Sequence, residues 1–247
     1  MSLQLSKMIV LFTDFGVADP YVGQLHALFA RQAPGVPVID LCHNVPNFDI
    51  KAGAYLLASL TPQIPENAVF LGVVDPGVGG PRDAIIVSAD GRWFVGPDNG
   101  LFAVVMRRAK KCEVRRVDWR PAALSDTFHG RDLFAPAAVM LALGSFPESS
   151  IDHVPVDTSN WLDDLAQVIY IDHYGNAITG LRSAILDSGT VLDISHQRIC
   201  HARTFSEAVC GQPFWHVNSL GLVEIAVNQD SAARILGLRL GDAISVL

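Results

Sequence analysis

The sequence predicts an α/β protein, in which a three-layer N-terminal domain with a largely parallel sheet is followed by a smaller C-terminal domain of antiparallel strands, a barrel or a sandwich. Two patterns carry this prediction. In the first half of the chain, short apolar runs alternate with segments of helical spacing, as in sheets that are covered by helices. In the second half, short β-rich runs follow one another with turn residues between them. The predicted domains are residues 1–150 and 165–247, joined by a linker over residues 151–164.

Strands and helices alternate at the start of the chain. Apolar runs that end in polar turns predict three buried strands, Met8–Phe12, Val36–Cys42 and Ala68–Val74. Helical spacing between them predicts two helices, Tyr21–Gln32 and Lys51–Leu60. Parallel strands of this kind end at one edge of the sheet, where open α/β sheets usually bind their ligands.

Turn and capping signals predict the remaining elements of the N-terminal domain. Asp98 is expected to be the N-cap of a helix that continues to Arg108, with basic residues at its negative end. A hairpin and one further helix are also predicted, with strands at Ala84–Ser88 and Trp93–Val95 around Asp90-Gly91, and a helix over Leu133–Leu143 closed by Gly144.

The character of the chain changes at the polar stretch Ser145–Asp164, which contains two prolines and has the composition of a linker. Beyond it, five short runs are predicted as strands: Ala166–Ile171, Val191–Ile194, Phe214–Val217, Leu222–Val227 and Ala243–Leu247. Turn residues separate these runs, which is the pattern of a small antiparallel barrel or sandwich.

Composition and charge exclude several classes of protein. The 247 residues are 50% hydrophobic and 17% charged, which suits one large core or two modest ones and argues against disorder. The net charge of −7, without a basic face, argues against nucleic acid as a partner. Apolar runs fall short of the about 20 residues that span a bilayer, and residues 1–10 lack a signal-peptide pattern. We therefore expect a cytoplasmic protein that binds no membrane.

Several catalytic patterns are missing from the sequence. The four cysteines lack the spacing of a zinc site or a disulfide framework, so free thiols in a reducing compartment are expected. The chain has no H-x-x-x-H pair, no G-x-S-x-G elbow and no P-loop. We therefore expect neither a catalytic metal nor an activated serine.

Three polar residues of the N-terminal half lie on turns that follow apolar runs. The Asp14 carboxylate follows the first strand and could accept hydrogen bonds from both hydroxyls of a ribose, although a helix cap or an Asx turn explains it equally well. Asp75 begins a Pro-Gly turn, for which a structural role is the default. Arg82 lies just after the glycines, where it can pair with Asp75 or remain a surface arginine.

Two histidines end apolar or aromatic segments. His129, between Phe128 and Gly130 at a predicted helix entrance, is the most suggestive of the eight histidines, although a single histidine is usually structural. His43 ends the second predicted strand and is interpreted as structural.

The C-terminal half has two candidate binding segments. Asp172–Asn176 combines an acid, an aromatic ring and an amide, a set that can bind an ammonium group, stack on a base and recognise its edge. A β-turn with a packed tyrosine is the alternative interpretation. The segment Asn218–Ala226 also has the pattern of a loop that enters a strand.

Taken in order along the chain, these motifs resemble the S-adenosylmethionine hydroxide adenosyltransferases, which form adenosine and are related to the fluorinating and chlorinating enzymes that use the same substrate. Each motif is short, but together they make a specific signal over nearly the whole chain, with the least similarity at residues 180–210. The motifs are Thr13-Asp14-Phe15-Gly16, Asp75-Pro76-Gly77, Pro97-Asp98-Asn99-Gly100, Thr127–Asp132, Asp172–Asn176, Asn218–Ala226 and Leu238–Asp242.

The resemblance implies a reaction and an assembly. Water or hydroxide would attack C5′ of the ribose of S-adenosylmethionine (SAM), giving adenosine and methionine without a cofactor. An N-terminal α/β domain and a C-terminal β-barrel would assemble as a homotrimer, with each site between one subunit's N-terminal domain and its neighbour's C-terminal domain. Two alternatives stay open: a non-catalytic sensor of SAM or adenosine, and halide-dependent adenosyl transfer.

The family's site residues carry over by position. Arg82 and His129 would position the nucleophile, while Asp75 would fix Arg82 or assist proton removal. The halogenating enzymes have tyrosines at positions 75 and 129 and a halide-binding serine at position 130, so the residues of this chain imply hydrolysis. The implied substrate contacts are Asp14 with the ribose hydroxyls, Phe48 beside the sugar, Asp172 and Ser219 with the methionine amino and carboxylate groups, Tyr174 and Asn176 with adenine, and backbone around Val227.

Overall fold

The computed structural model describes residues 7–151, 153–194 and 196–247. Met1–Ser6, the start of the segment that lacks a signal-peptide pattern, lies outside these described residues. The chain divides into two compact units, Met1–Asn160 and Trp161–Leu247. Within the described residues, no helix is long and apolar enough to cross a membrane.

A seven-stranded sheet forms the centre of the first unit. Its spatial order is β2-β1-β3-β5-β4-β6-β7. In chain order the strands are β1 (Ile9–Thr13), β2 (Val38–Cys42), β3 (Val69–Val73), β4 (Ala84–Ala89), β5 (Arg92–Pro97), β6 (Cys112–Val117) and β7 (Ser149–Ile151). Five of the seven run in one direction, and only β4 and β7 oppose them. The prediction of a largely parallel sheet is confirmed.

Helices lie along both faces of this sheet. They are α1 (Pro20–Gln32), α2 (Ile50–Leu60), α3 (Ala103–Arg108) and α4 (Ala135–Ala142), the last preceded by a π-helical turn over Gly130–Phe134. Val69, Leu71 and Val73 of β3 pack in one core cluster with apolar residues of α1 and α4. On the opposite face, Gly72 of β3 lies against the Phe102 ring beside α3. Burial on both faces explains why β1 and β3 are almost wholly apolar, with Thr13 at the end of β1 as the exception.

The helix predicted from Asp98 begins later than expected. The prediction was wrong because the Asp98 carboxylate does not cap a helix. Its two oxygens accept hydrogen bonds from Nε2 of His153, at 2.7 Å, and from the backbone N–H of Val156, at 3.0 Å. Gly100 then adopts a φ of 102°, which a right-handed helix cannot include, so α3 starts at Ala103.

Two strands of the first unit were not predicted. Strand β6 is largely polar, with two adjacent arginines, Arg115 and Arg116, that both reach solvent, and it pairs with β4. Strand β7 lies within the polar stretch 145–164 and pairs with β6.

Helix α4 ends close to its predicted end, before Gly144, whose φ of 83° suits glycine at a helix terminus.

The second unit is built from antiparallel strands, as predicted. One sheet has the order β12-β13-β9-β8 and the other β11-β10-β14. The strands are β8 (Leu165–Ile171), β9 (Ala177–Arg182), β10 (Leu192–Ile194), β11 (Gln197–Ile199), β12 (Pro213–Val217), β13 (Leu222–Val227) and β14 (Ser245–Val246), with helix α5 (Ala232–Leu236). Single bridges join Gln167 of β8 to Ala243, which precedes β14, and Trp215 of β12 to His201, which follows β11. The described residues form no closed sheet, so the barrel stays a prediction.

The close approach of β3 and β5 gives a test of the fold. A Cβ at Gly96 would lie 2.1 Å from the carbonyl oxygen of Gly72 and 2.9 Å from the Phe102 ring. We expect Gly96→Ala to lower the free energy of unfolding by about 3 kcal/mol, because backbone must move to admit the methyl group. Thermal or urea unfolding measures the change.

Gly23→Ala is the matched control. Gly23 lies on the exposed side of α1, where an added methyl group would meet no heavy atom within 4 Å, so alanine should stabilise the helix by about 1 kcal/mol or less. Equal stability of the Gly96→Ala and Gly23→Ala proteins would contradict the packing described here.

Candidate active site

Three loops at one edge of the N-terminal sheet carry Asp14 and the predicted catalytic residues. Asp75 comes two residues after β3 ends, and Arg82 lies two residues before β4 begins. His129 is the residue before the π-helical turn that leads into α4. Asp14 directly follows β1, which is parallel to β3, so these loops share the carboxyl edge of the sheet.

The structure brings Asp75, Arg82 and His129 into direct contact. Nε of Arg82 donates to both carboxylate oxygens of Asp75, at 3.1 Å each, and Nη2 also bonds Oδ2. The same Nη2 donates to Nδ1 of His129 at 2.9 Å. The side chains of Asp75 and Arg82 are only 4% and 12% exposed. We call these three residues, which the sequence predicts to be catalytic, the catalytic cluster.

Hydrogen-bond chemistry sets the form of the His129 ring. A guanidinium only donates, so Nδ1 of His129 must be an unprotonated acceptor, and the neutral ring carries its proton on Nε2. Burial, followed by the Arg82 cation, lowers the pKa of His129 below its usual value. The ring is therefore a neutral imidazole near pH 7 that offers an N–H donor.

Other contacts hold the segment from Asp75 to Arg82 in place. Asn99 Nδ2 donates to the carbonyl of Val74 at 2.8 Å, and the backbone N–H of Asp98 donates to the carbonyl of Asp83 at 2.9 Å. The turn Pro97–Gly100 thus anchors both ends of the segment. The Phe134 ring lies 5.1 Å from the Arg82 guanidinium carbon and supports the cation from one side.

The loop that bears His129 is tied to α1. Arg131 Nη1 donates to Oε1 of Gln24 at 2.7 Å, and its Nε pairs with Asp132 at 2.6 Å. Asp132 in turn accepts the backbone N–H of Ser125 at 3.0 Å. These bonds tie the loop from residue 125 to residue 132, which bears His129, to itself and to α1.

A cavity of about 380 Å³ opens beside the catalytic cluster. Asp14, Phe48, Asp75 and His129 line it, so four predicted site residues share one space. Oδ2 of Asp14 accepts the backbone N–H of Phe48 at 3.1 Å, while burial raises the Asp14 pKa. The Phe48 side chain is 72% exposed.

Several residues that line this cavity were not predicted from the sequence. They include Asp19, Tyr21 and Asn47. Asp19 precedes Pro20 at the start of α1, but its side chain makes no capping hydrogen bond. The Asp-Pro pair predicts that a helix starts here, and so that Asp19 lies near the sheet edge. The direction in which its carboxylate points depends on tertiary packing and could not be predicted.

The predicted residues of the second unit are only partly together. Asp172, Tyr174, Asn176 and Val227 line a cavity of about 770 Å³, whereas Ser219 is not among its lining residues. Further lining residues that were not predicted are Phe205, Gln229, Asp230 and Ser231.

Asp172 forms the turn that was the alternative interpretation of its motif. Oδ1 accepts the backbone N–H groups of Tyr174 at 2.9 Å and Asn176 at 2.8 Å, and Oδ2 accepts the Asn176 amide at 3.0 Å. The alternative also predicted that the tyrosine is packed, and this was wrong, because Tyr174 is 76% exposed.

Among the residues that the structure covers, no group of three His, Cys, Asp or Glu side chains is arranged to hold a metal ion.

Comparison with known proteins places these features in a family. The family model of the SAM hydroxide adenosyltransferase N-terminal domain matches residues 9–151, and that of the C-terminal domain matches residues 166–245. The chain belongs to the SAM hydroxide adenosyltransferase family.

Individual relatives agree over nearly their full lengths. A curated (R)-S-adenosyl-L-methionine hydrolase from Thermus thermophilus is 42% identical, over 98% of this chain and all of the relative. A fluorinase from Actinopolyspora mzabensis is more distant, at 27% identity over the whole chain and 99% of the relative. A crystal structure of a conserved protein from Thermotoga maritima superposes with a TM-score of 0.86 at 29% identity, covering 97% of this chain and all of that one.

The electrostatics of the cluster can be tested directly. Replacing Arg82 with alanine removes a cation beside His129 and leaves the Asp75 carboxylate unpaired, so the pKa of His129 should rise. Titration of the ring by NMR measures this pKa. Arg120→Ala, which removes a cation that acts more weakly on His129, should produce a smaller rise. An unchanged or lower pKa in the Arg82→Ala protein would contradict the geometry.

Proposed function

We propose that this protein hydrolyses SAM to adenosine and methionine. An oxygen from water forms a bond to C5′ of the ribose, the C5′–S bond breaks, and methionine leaves with the bonding electron pair as a neutral thioether. The nucleophile loses one proton to the solution. The observation that supports this most strongly is the contact among Asp75, Arg82 and His129, because Asp75 and His129 line the same cavity as Asp14.

The chemistry demands a positioned nucleophile rather than an acid. A sulfonium is already an excellent leaving group, so no proton need be delivered to sulfur. Nε2–H of His129 and the guanidinium of Arg82 hold the oxygen of water or hydroxide in line with the C5′–S bond. The Arg82 charge favours the deprotonated nucleophile, and Asp75 fixes the orientation of Arg82 through two carboxylate oxygens.

The ribose lies against Asp14 in this proposal. A carboxylate accepts hydrogen bonds from two neighbouring hydroxyls, and the backbone N–H of Phe48 fixes one of its oxygens. The Phe48 ring packs beside the sugar. The cavity volume is within the range of small-molecule sites, and the reaction requires no cofactor.

The second unit supplies the rest of the substrate contacts, from a neighbouring subunit of a homotrimer. Tyr174 stacks on adenine, Asn176 and backbone near Val227 bind its edge, and Asp172 and Ser219 take the methionine amino and carboxylate groups. Exposed Tyr174 beside a cavity supports an aromatic contact with a ligand. The single bridges from Gln167 to Ala243 and from His201 to Trp215 support the β-barrel that the family resemblance implies.

The two alternative functions are not favoured. The curated relatives at about 40% identity are named as hydrolases, not as sensors or halogenating enzymes. A halide-binding side chain at position 130 would also need space, because a Cβ there would lie 3.0 Å from the Phe15 ring. Gly130 itself offers no hydroxyl to a halide.

Turnover of SAM by the purified protein tests the proposal. Adenosine and methionine should form in equal amounts and no 5′-halo-adenosine should form when chloride or fluoride is added. Arg82→Ala and His129→Ala should each lower kcat about 100-fold, the scale of losing a positioned donor, with adenosine affinity nearly unchanged.

Arg116→Ala is the control, since Arg116 pairs with Asp118 at the surface of the same unit. Its kcat should match that of the unmodified protein. Tight SAM binding with no product would favour the sensor, and equal losses of kcat and adenosine affinity in both cluster variants would refute the assigned roles.

A further inference from the structure

A chain of hydrogen bonds runs from the surface of the first unit to the residue beside Asp14. His26 Nε2 bonds the Asp40 carboxylate at 2.8 Å, and His43 Nε2 bonds the same carboxylate at 3.1 Å. His43 Nδ1 then lies 2.8 Å from the hydroxyl of Thr13. The inner members are buried, with Thr13 wholly inaccessible and the His43 side chain 4% exposed.

We propose that Thr13, His43 and Asp40 are positioning residues that hold the Asp14 carboxylate ready for the ribose of the substrate. This inference rests on the proposed function, because it concerns the same site. It also changes the interpretation of His43, which the sequence alone left as a structural histidine.

The partners of His43 limit the direction of its hydrogen bonds. A carboxylate only accepts, so Nε2 of His43 carries a proton. When the ring is neutral, Nδ1 is unprotonated and the Thr13 hydroxyl donates to that nitrogen. Its oxygen lone pairs are then available to accept the backbone N–H of Phe15, which lies 3.2 Å away.

The Thr13–Phe15 bond closes a tight turn across Asp14. A side-chain oxygen that accepts the N–H two residues later fixes the backbone of the residue between them. The direction of the Asp14 side chain thus depends on the hydroxyl of Thr13, which in turn depends on the ring of His43 and the carboxylate of Asp40.

Backbone contacts join the same two loops. Gly16 donates to the carbonyl of His43 at 2.7 Å, and Val45 donates to the carbonyl of Thr13 at 3.2 Å. The second loop continues to Phe48, whose N–H holds Oδ2 of Asp14. The chain of side-chain hydrogen bonds and these backbone bonds together hold both contacts that we assign to the ribose, and among the described residues no hydrogen bond joins Thr13, His43 or Asp40 to the catalytic cluster.

Substitutions at Thr13 test this inference. Thr13→Val keeps the shape and removes the hydroxyl, so the Kd for adenosine and the KM for SAM should both rise roughly tenfold, with kcat changed less than about threefold. Thr13→Ser restores the hydroxyl and should return both constants to within about twofold. His43→Ala should act in the same direction as Thr13→Val, and Asp14→Ala gives the reference for complete loss of the carboxylate.

Thr61→Val is the matched control, because the Thr61 hydroxyl donates to the carbonyl of Leu57 at the far end of α2 and lines neither cavity. Its Kd and KM should equal those of the unmodified protein. Thermal unfolding confirms that each variant is folded before it is assayed.

Three outcomes overturn the inference: adenosine affinity unchanged in both Thr13→Val and His43→Ala, serine as damaging as valine at position 13, or kcat falling as much as KM rises. Failure of the unmodified protein to form adenosine from SAM would instead refute the proposed function. In that event the adenosine titrations would still decide whether these residues position Asp14.

Discussion

The guanidinium of Arg82 connects parts of the N-terminal unit that are distant in sequence. It bonds the carboxylate of Asp75, seven residues earlier, and the imidazole of His129, 47 residues later. Its planar array of donors allows both contacts at once, which the single ammonium of a lysine would not reproduce. The arrangement of the candidate site therefore depends on one side chain with a fixed shape and a permanent charge.

A largely buried ion pair of this kind costs desolvation energy and is weak evidence of a stabilising role. The surrounding contacts instead favour one geometry: the Phe134 ring on one side of Arg82, the Asn99 amide on the carbonyl of Val74, and the Arg131–Gln24 bond behind His129. A site held this firmly has little reorganisation left to undergo during the reaction, which is how preorganised polar groups lower a barrier.

Much of the fold could be predicted from the sequence, because buried strands such as β1 and β3 are almost wholly apolar and are followed by turns. Strand β6 escaped prediction, since it is polar and its arginines gave no clear alternation. Asp98 had the composition of an N-cap, but its preference for His153 and Val156 depends on tertiary contacts that no local pattern records.

The candidate site also has features that the sequence predicts and features that it does not. Motif order placed Asp14, Asp75, Arg82 and His129 in one region, and the structure gathers all four. The sequence could not indicate that His43 lies on Thr13, 30 residues away, or that Asp19 faces the cavity. A turn at Asp172 was one of two interpretations of its motif, but the sequence offered no sign that Ser219 lies outside the lining of the second cavity. Such facts depend on packing between segments.

Attack of water on the ribose carbon is the central claim, and the fate of a labelled oxygen tests it most directly. The purified protein would be incubated with SAM in oxygen-18 water, and the products analysed by mass spectrometry. We expect one oxygen-18 atom at the 5′ position of adenosine and none in methionine. Unlabelled adenosine, or label in the methionine product, would contradict attack at C5′ and with it the role assigned to the cluster around Arg82.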